Sequence, residues 1–322
     1  MIDMKLKIYE GIIHENAIRN HLSHHDIVVH DPQPLPLITH YNRKGPWIWR
    51  CHIDLSTPHD KLWSYLSNFI ERYNAVILSI PDYQRELRTP QVFFMPAIDP
   101  FSIKNKDMSD AEIDERLQHY DIPDELPLVV QISRFDRWKD PLGVIKAFKK
   151  AREQYGLDAT LVLLGNVATD DPEGEEVYES LSSERAERII ILSREDTSLV
   201  NTLQRRAAVV LQTSLSEGFG LTVTEAMWKG QPVVGGNVGG IRYQIEDREN
   251  GFRVDSVDEA AHRIGQLVQD PDLREQMGHR ARESVRGNFL MTRLLEQYLD
   301  LFNAFETTHR LKTFPSASIA RP

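Results

Sequence analysis

Residues Ser214 to Ile245 read SLSEGFGLTVTEAMWKGQPVVGGNVGGIRYQI. The run AVVLQT, Ala208 to Thr213, leads into them and has the unbroken hydrophobicity of a buried parallel strand. Gly218 and Gly220 then mark a turn, and Leu221 to Lys229 contains no helix breaker. Strand, glycine turn and helix in that order leave the amides of Phe219, Gly220 and Leu221 unpaired at a helix N-terminus. An anion can accept from them there. This unit decides for a parallel α/β fold.

Two carboxylates bracket the turn, Glu217 and Glu225, eight residues apart. Glu217 is expected in the loop beside the anion site, and Glu225 about 6 Å further along the helix axis. Ionised carboxylates only accept hydrogen bonds, so their natural ligands are hydroxyls. A phosphate set between two polyols, as in a nucleotide sugar, satisfies the whole constellation. The plain alternative, an acidic surface helix behind a tight turn, leaves GFG and the later VGG at Val238 to Gly240 without a purpose.

The stretch resembles the E-x7-E signature of retaining glycosyltransferases of the GT-B fold, family 4. VHDPQP (from Val29), WRCHIDLSTP (from Trp49), QISRFDRWKDPLGVIKAF (from Gln131) and DDPEGE (from Asp170) look like one branch of that family, the trehalose glycosyltransferring synthases. The likeness runs from about Asp26 to Phe302. It implies transfer of glucose from a nucleoside-diphosphate glucose to free glucose, reversibly and with retention at the donor carbon.

Outward from this centre, the chain alternates strand-like and helix-like segments. DIVVHD, WIWRCHID, AVILSI and VFFMPAI are strands of a first domain. LVVQI, TLVLLG, RIIIL, AVVLQT and PVVGG build a second one. The expected organisation is GT-B-like, with two doubly wound parallel-sheet, Rossmann-like domains. Residues 1–105 form a partial N-terminal domain, 106–125 a linker and 126–288 the nucleotide-sugar domain. Residues 289–306 are a helix that the resemblance sends back to the first domain, and 307–322 a disordered tail. The glycine-rich strand-to-helix loop that usually opens such a fold is missing, because Gly11 and Gly45 are the only glycines before Gly143. The chain therefore reads as a fragment or a shortened relative, with acceptor binding the part at risk and a sheet edge left open.

Polar residues at the C-terminal strand ends are the site candidates. In the first domain they are His30, Asp31, Gln33, His52 and Asp54, expected on the acceptor side. His52 is also expected to hydrogen-bond the donor sugar or incoming hydroxyl. In the second domain Arg134 and Lys139 lie five apart in the loop after LVVQI. Two cations at a strand end in an acidic chain point to an anion, and the resemblance makes this pair the diphosphate holder. Asn166, Gly218, Phe219, Gly220 and Leu221 complete the donor side, with Glu217 on the glucose and Glu225 on the ribose. Arg137 is read as solvent-facing, and Leu192 to Asp196 as a wall for the base.

The net charge of −10 excludes general affinity for nucleic acid or anionic membrane. A single cysteine, Cys51, excludes a disulfide framework and suits a reducing cytosol. The N-terminus does not read as a signal peptide, and no apolar run approaches a membrane span. A cytoplasmic protein follows. No cofactor or metal is expected, since two cations already occupy the phosphate role. The expected partners are small molecules, namely a nucleotide sugar with glucose or trehalose, and a homodimer is kept open. Three rival functions stand beside this one. They are a glycoside hydrolase using Glu217 and Glu225, a retaining phosphorylase of the same fold, and a non-catalytic nucleotide-sugar binder.

Overall fold

The computed structural model describes residues 2–166 and 172–308. Among the described residues the chain divides into two compact units, the first running to Pro96 and resuming at Leu294, the second Ala97–Arg293.

In the first unit a helix, α1 (Ile2–Arg19), precedes β1 (Ile27–His30) and β2 (Trp47–Arg50). Then come α2 (Asp60–Ile70), β3 (Ala75–Leu78) and β4 (Gln91–Phe93). The four strands are parallel in the order β1-β2-β3-β4. Every residue of the two central strands, WIWR and AVIL, is buried, as expected where both sheet faces are covered.

The second unit opens with α3 (Asp110–His119), started by a capping box between Ser109 and Glu112. Its sheet has six parallel strands in the order β10-β9-β8-β5-β6-β7. They are β5 (Leu128–Ile132), β6 (Thr160–Gly165), β7 (Ile189–Ser193), β8 (Ala207–Gln212), β9 (Val233–Gly236) and β10 (Phe252–Val254). Between them run α4 (Pro141–Tyr155), α5 (Pro172–Ser182), α6 (Thr197–Arg206) and α7 (Leu221–Trp228). After β10 come α8 (Val257–Gln269), α9 (Pro271–Asn288) and α10 (Met291–Thr308). Asp140 caps α4 by accepting from the Gly143 amide, with Pro141 as the first helical residue. Phe148 and Ala151 of α4 pack with Leu161, Leu163, Val209 and Ile264 in the core. Each of the larger side chains among these, Ala151 excepted, contributes about 1.5–3 kcal/mol on burial.

The organisation differs from the sequence reading at the connections. Segment 106–125 is not a linker, and the first boundary falls at Pro96 and not near 105. Arg116 of α3 and Tyr120, the residue that ends it, both reach Asp196 at the head of α6. Asn201 and Arg205 of α6 donate to the carbonyls of Ile103, Asn105 and Lys106. Pro96 and Pro100 just before this stretch, with the charge inside it, give it the look of a linker, while its partners lie far along the chain. The second boundary falls within α10, between Arg293 and Leu294, and Leu301 and Phe305 of that helix join the core of the first unit with Ile48, Ile77 and Phe94. The tail from 309, with Asp170 and Asp171 of the DDPEGE motif, lies outside the described residues.

Candidate active site

Strands β5 and β8 are neighbours, yet the chain leaves them in opposite directions across the sheet. β5 continues to β6 through α4, and β8 to β9 through α7. Right-handed crossovers put those two helices on opposite faces, so a crevice opens above the C-terminal ends of β5 and β8. Arg134 and Lys139 follow the first strand, and Glu217 and GFG follow the second.

Lys139 and Glu217 meet there. Lys139 Nζ lies 2.5 Å from Glu217 Oε2, with the side chains only 17% and 10% exposed. The same oxygen lies 3.4 Å from both Gln212 Nε2 and Ser214 Oγ. The residue read as a phosphate ligand and the one read as a sugar ligand are thus paired with each other. Their chemistry remains compatible with both roles, because an ammonium has three donors and a carboxylate about four acceptor sites. Asp136 fixes the cationic loop by accepting from the amides of Trp138 and Lys139. Gln131 donates to the Lys139 carbonyl, and the Leu215 amide donates to that of Trp138. Arg134 is more open, 3.1 Å from Asp136 Oδ2. Arg137 is exposed and stacks on Trp138.

The GFG turn is held from behind. Gly220 caps α7 at φ 85°, a left-handed conformation that favours glycine. Gly240 packs directly on Phe219, and its amide donates to the Gly218 carbonyl. Buried Gln244 donates to the Phe219 carbonyl at 2.6 Å and accepts from Thr224 Oγ1. The amides of Phe219, Gly220 and Leu221 donate to no described group, and they stand at the mouth of an eight-residue helix. VGG therefore supports the turn by close packing.

Glu225 lies on α7 with its carboxylate nearly buried, 3.9 Å from Lys104 Nζ. Burial raises its pKa, against the pull of Lys104 and Lys229. Lys229, one turn further on, donates to Asn105 Oδ1, Gln204 Oε1 and the Glu225 carbonyl. Asn166 follows β6 and donates to Glu195 Oε1. The segment Leu192 to Asp196 ends β7 and heads α6. Leu221 is exposed at the first position of α7.

In the first unit, His30 and His52 stack with ring centroids 5.1 Å apart, and His30 Nδ1 lies 2.8 Å from His52 Nε2. Asp31 adopts φ 64° and accepts from the His52 amide, which ties the ends of β1 and β2 together. Asp54 accepts from the amide and hydroxyl of Ser56, a local turn. Gln33 is exposed. Next to the histidines, buried Arg50 has Nε and Nη1 hydrogens without an acceptor among the described residues. Burial first, then this guanidinium, lowers both histidine pKa values, with Asp31 pulling the other way.

The pair consequently stays neutral in the folded chain at a pH where the unfolded chain takes up protons, about 6.5 for ordinary histidine. Stability from this source is complete above that pH and falls as pH drops through it. Urea midpoints at pH 7.5 and 5.5 check the sign. The parent is expected to lose more stability across that interval than a His52→Gln variant, and an equal loss refutes the assignment.

Sequence reading missed Lys104, Lys229, Gln244 and Asp136. Gln244 and Lys229 lie within the opening stretch, but no spacing rule marks them. Lys104 is separated from Glu225 by more than a hundred residues of chain.

Residues 112–284 match the family Glycosyl transferases group 1, and residues 1–85 match Trehalose synthase, N-terminal domain. Among solved structures, the chain resembles Anabaena HepE in complex with UDP-glucose at TM-score 0.77 and 19% identity, over 92% of this chain and 82% of that one. It resembles sucrose-phosphate synthase from Thermosynechococcus elongatus at 0.76 and 20%, over 93% and 79%. The fold is GT-B, and the class is a group 1 glycosyl transferase. The trehalose synthase of Pyrococcus horikoshii is 42% identical over 310 residues, 92% of this chain and 74% of that protein. That of Rubrobacter xylanophilus is 41% identical over 288 residues, 86% and 69%. The chain belongs to the trehalose synthase family. A trehalose phosphorylase of Grifola frondosa is more distant, at 28% over 302 residues, 80% of this chain and 41% of that protein.

Proposed function

We propose that this chain transfers glucose from a nucleoside-diphosphate glucose to free glucose, making trehalose reversibly and with retention. The observation that carries the reading is the part-buried Lys139–Glu217 pair beside the amides of Phe219, Gly220 and Leu221, which donate to no described group, at the switch point of the second sheet. Lys139 and Arg134 stabilise the diphosphate as the bond from the donor sugar to its oxygen breaks. That oxygen takes the proton of the attacking glucose hydroxyl on the same face, so no protein nucleophile is required. Glu217 holds Lys139 in place and accepts from hydroxyls of the transferred glucose. Glu225 accepts from the ribose, and Asn166 with Leu221 lines the donor side. A neutral His52, braced by His30 and Asp31, accepts from a sugar hydroxyl.

No metal or other cofactor is assigned, because cationic side chains already face the phosphate. The proposal includes a cytoplasmic setting, which buried, unpaired Cys51 suits. No helix among the described residues is long and apolar enough to cross a membrane. It also includes a homodimer, for which α1 leaves Met4, Ile8, Ile12 and Ile18 exposed.

Incubation with ADP-, UDP- or GDP-glucose and glucose, followed by identification of the disaccharide, tests the reading. A non-reducing glucose disaccharide formed without inorganic phosphate is expected. A strict requirement for phosphate selects the phosphorylase. Nucleotide binding with neither transfer nor hydrolysis selects the non-catalytic binder.

A further inference from the structure

Each carboxylate of the E-x7-E pair has a lysine of its own. Glu217 is matched by Lys139 from the loop after β5, and Glu225 by Lys104 from the turn between β4 and α3. The first lysine is legible as half of an R-x4-K spacing. The second is brought in by tertiary structure alone.

The turn that carries Lys104 is bolted down on both sides of it. Asn105 is 2% exposed, and its Nδ2 donates to the Asp99 carbonyl and to Ser102 Oγ. Its Oδ1 accepts from Lys229 on the end of α7. Asn201 donates to the carbonyls of Ile103 and Lys106, and Arg205 to those of Asn105 and Lys106. Lys229 has all three of its donors engaged, so it acts as a mount and has none left for a ligand. Lys104 differs from both neighbours. Its side chain is 46% exposed, and Glu225 is its sole polar contact among the described residues.

We infer that Lys104 is a further donor-binding residue, a cation fixed beside Glu225 to take the phosphate oxygen nearest the ribose. The inference rests on the reading of Glu225 as ribose acceptor. A buried carboxylate close to a diphosphate repels it, and a cation set next to that carboxylate removes the repulsion while keeping its acceptors for hydroxyls. The ribose is bonded directly to one phosphate, so a group reaching one end of Glu225 also reaches that phosphate. Lys104 keeps two donors for it after facing Glu225. Arg134 and Lys139 are left to the phosphate on the glucose side.

Calorimetric titration with ADP, UDP and GDP, at low and moderate salt, tests this on the parent and on Lys104→Met, Lys104→Arg and Glu225→Gln. For the nucleotide the parent binds best, Lys104→Met should weaken affinity about tenfold, the lower end for one charged hydrogen bond. Its salt dependence should also be shallower, since one ionic contact is gone. Lys104→Arg should retain most of the affinity. Unchanged affinity in Lys104→Met together with a loss in Glu225→Gln overturns the inference and leaves the ribose reading standing. Equal losses in Lys104→Met and Lys104→Arg overturn it too, because charge is then not what the site uses. If neither Lys104→Met nor Glu225→Gln changes affinity, or the parent binds none of the three, the donor reading falls with it.

Discussion

Lys139→Ala is expected to lower turnover on the order of a hundredfold, if one cation is worth what one oxyanion donor is worth elsewhere. The ammonium stands over the crevice where negative charge builds as the glycosidic bond breaks. It is only 17% exposed, so little water screens it. The substitution also takes the ammonium away from the Glu217 carboxylate, whose side chain is 10% exposed, and some loss of melting temperature is expected. The double variant Lys139→Met with Glu217→Gln separates the two effects. It should recover the stability while turnover stays low. Full turnover in Lys139→Ala would remove the diphosphate assignment, whatever happened to stability.

Gly240→Ala is expected to act as strongly, from behind the site. A Cβ at this position would lie 2.5 Å from Phe219 Cα and 2.7 Å from the Phe219 carbonyl oxygen. Both are backbone atoms, so the neighbour cannot swing aside, and the GFG turn itself must move. Displacement of positioning groups by about 1 Å costs about a hundredfold in rate. Nucleotide binding should weaken in parallel, as the amides of Phe219 to Leu221 turn away from the phosphate. Gly287→Ala is the control. It lies in α9, where the new methyl meets no described atom within 4 Å beyond its own turn of helix, and it should leave activity alone. Comparable turnover in the two variants would show that the turn does not position substrate.

Much of this was legible in one dimension because the relevant physics is local. Strand, glycine turn and helix follow from short-range conformational preference, and with them the open amides and the place of Glu217 and Glu225. The Asp140 cap, the Pro141 start and the cationic loop after β5 are likewise written within a few residues of one another. The linker was misread for the complementary reason. Prolines just before 106 and charges within 106–125 look like a linker until Asn201, Arg205 and Asp196, 76 to 99 residues away, take up their hydrogen-bonding groups.

The sequence by itself determined the parallel α/β class, the E-x7-E unit with its anion mouth, and the two cations opposite it, since each is set by neighbours in the chain. Only the tertiary structure decided how charges are matched. Lys139 is paired with Glu217, Lys104 with Glu225, and Arg50 is left beside two stacked histidines. Ion pairing depends on distance in space, which falls off over a few ångströms and carries no signature in residue spacing.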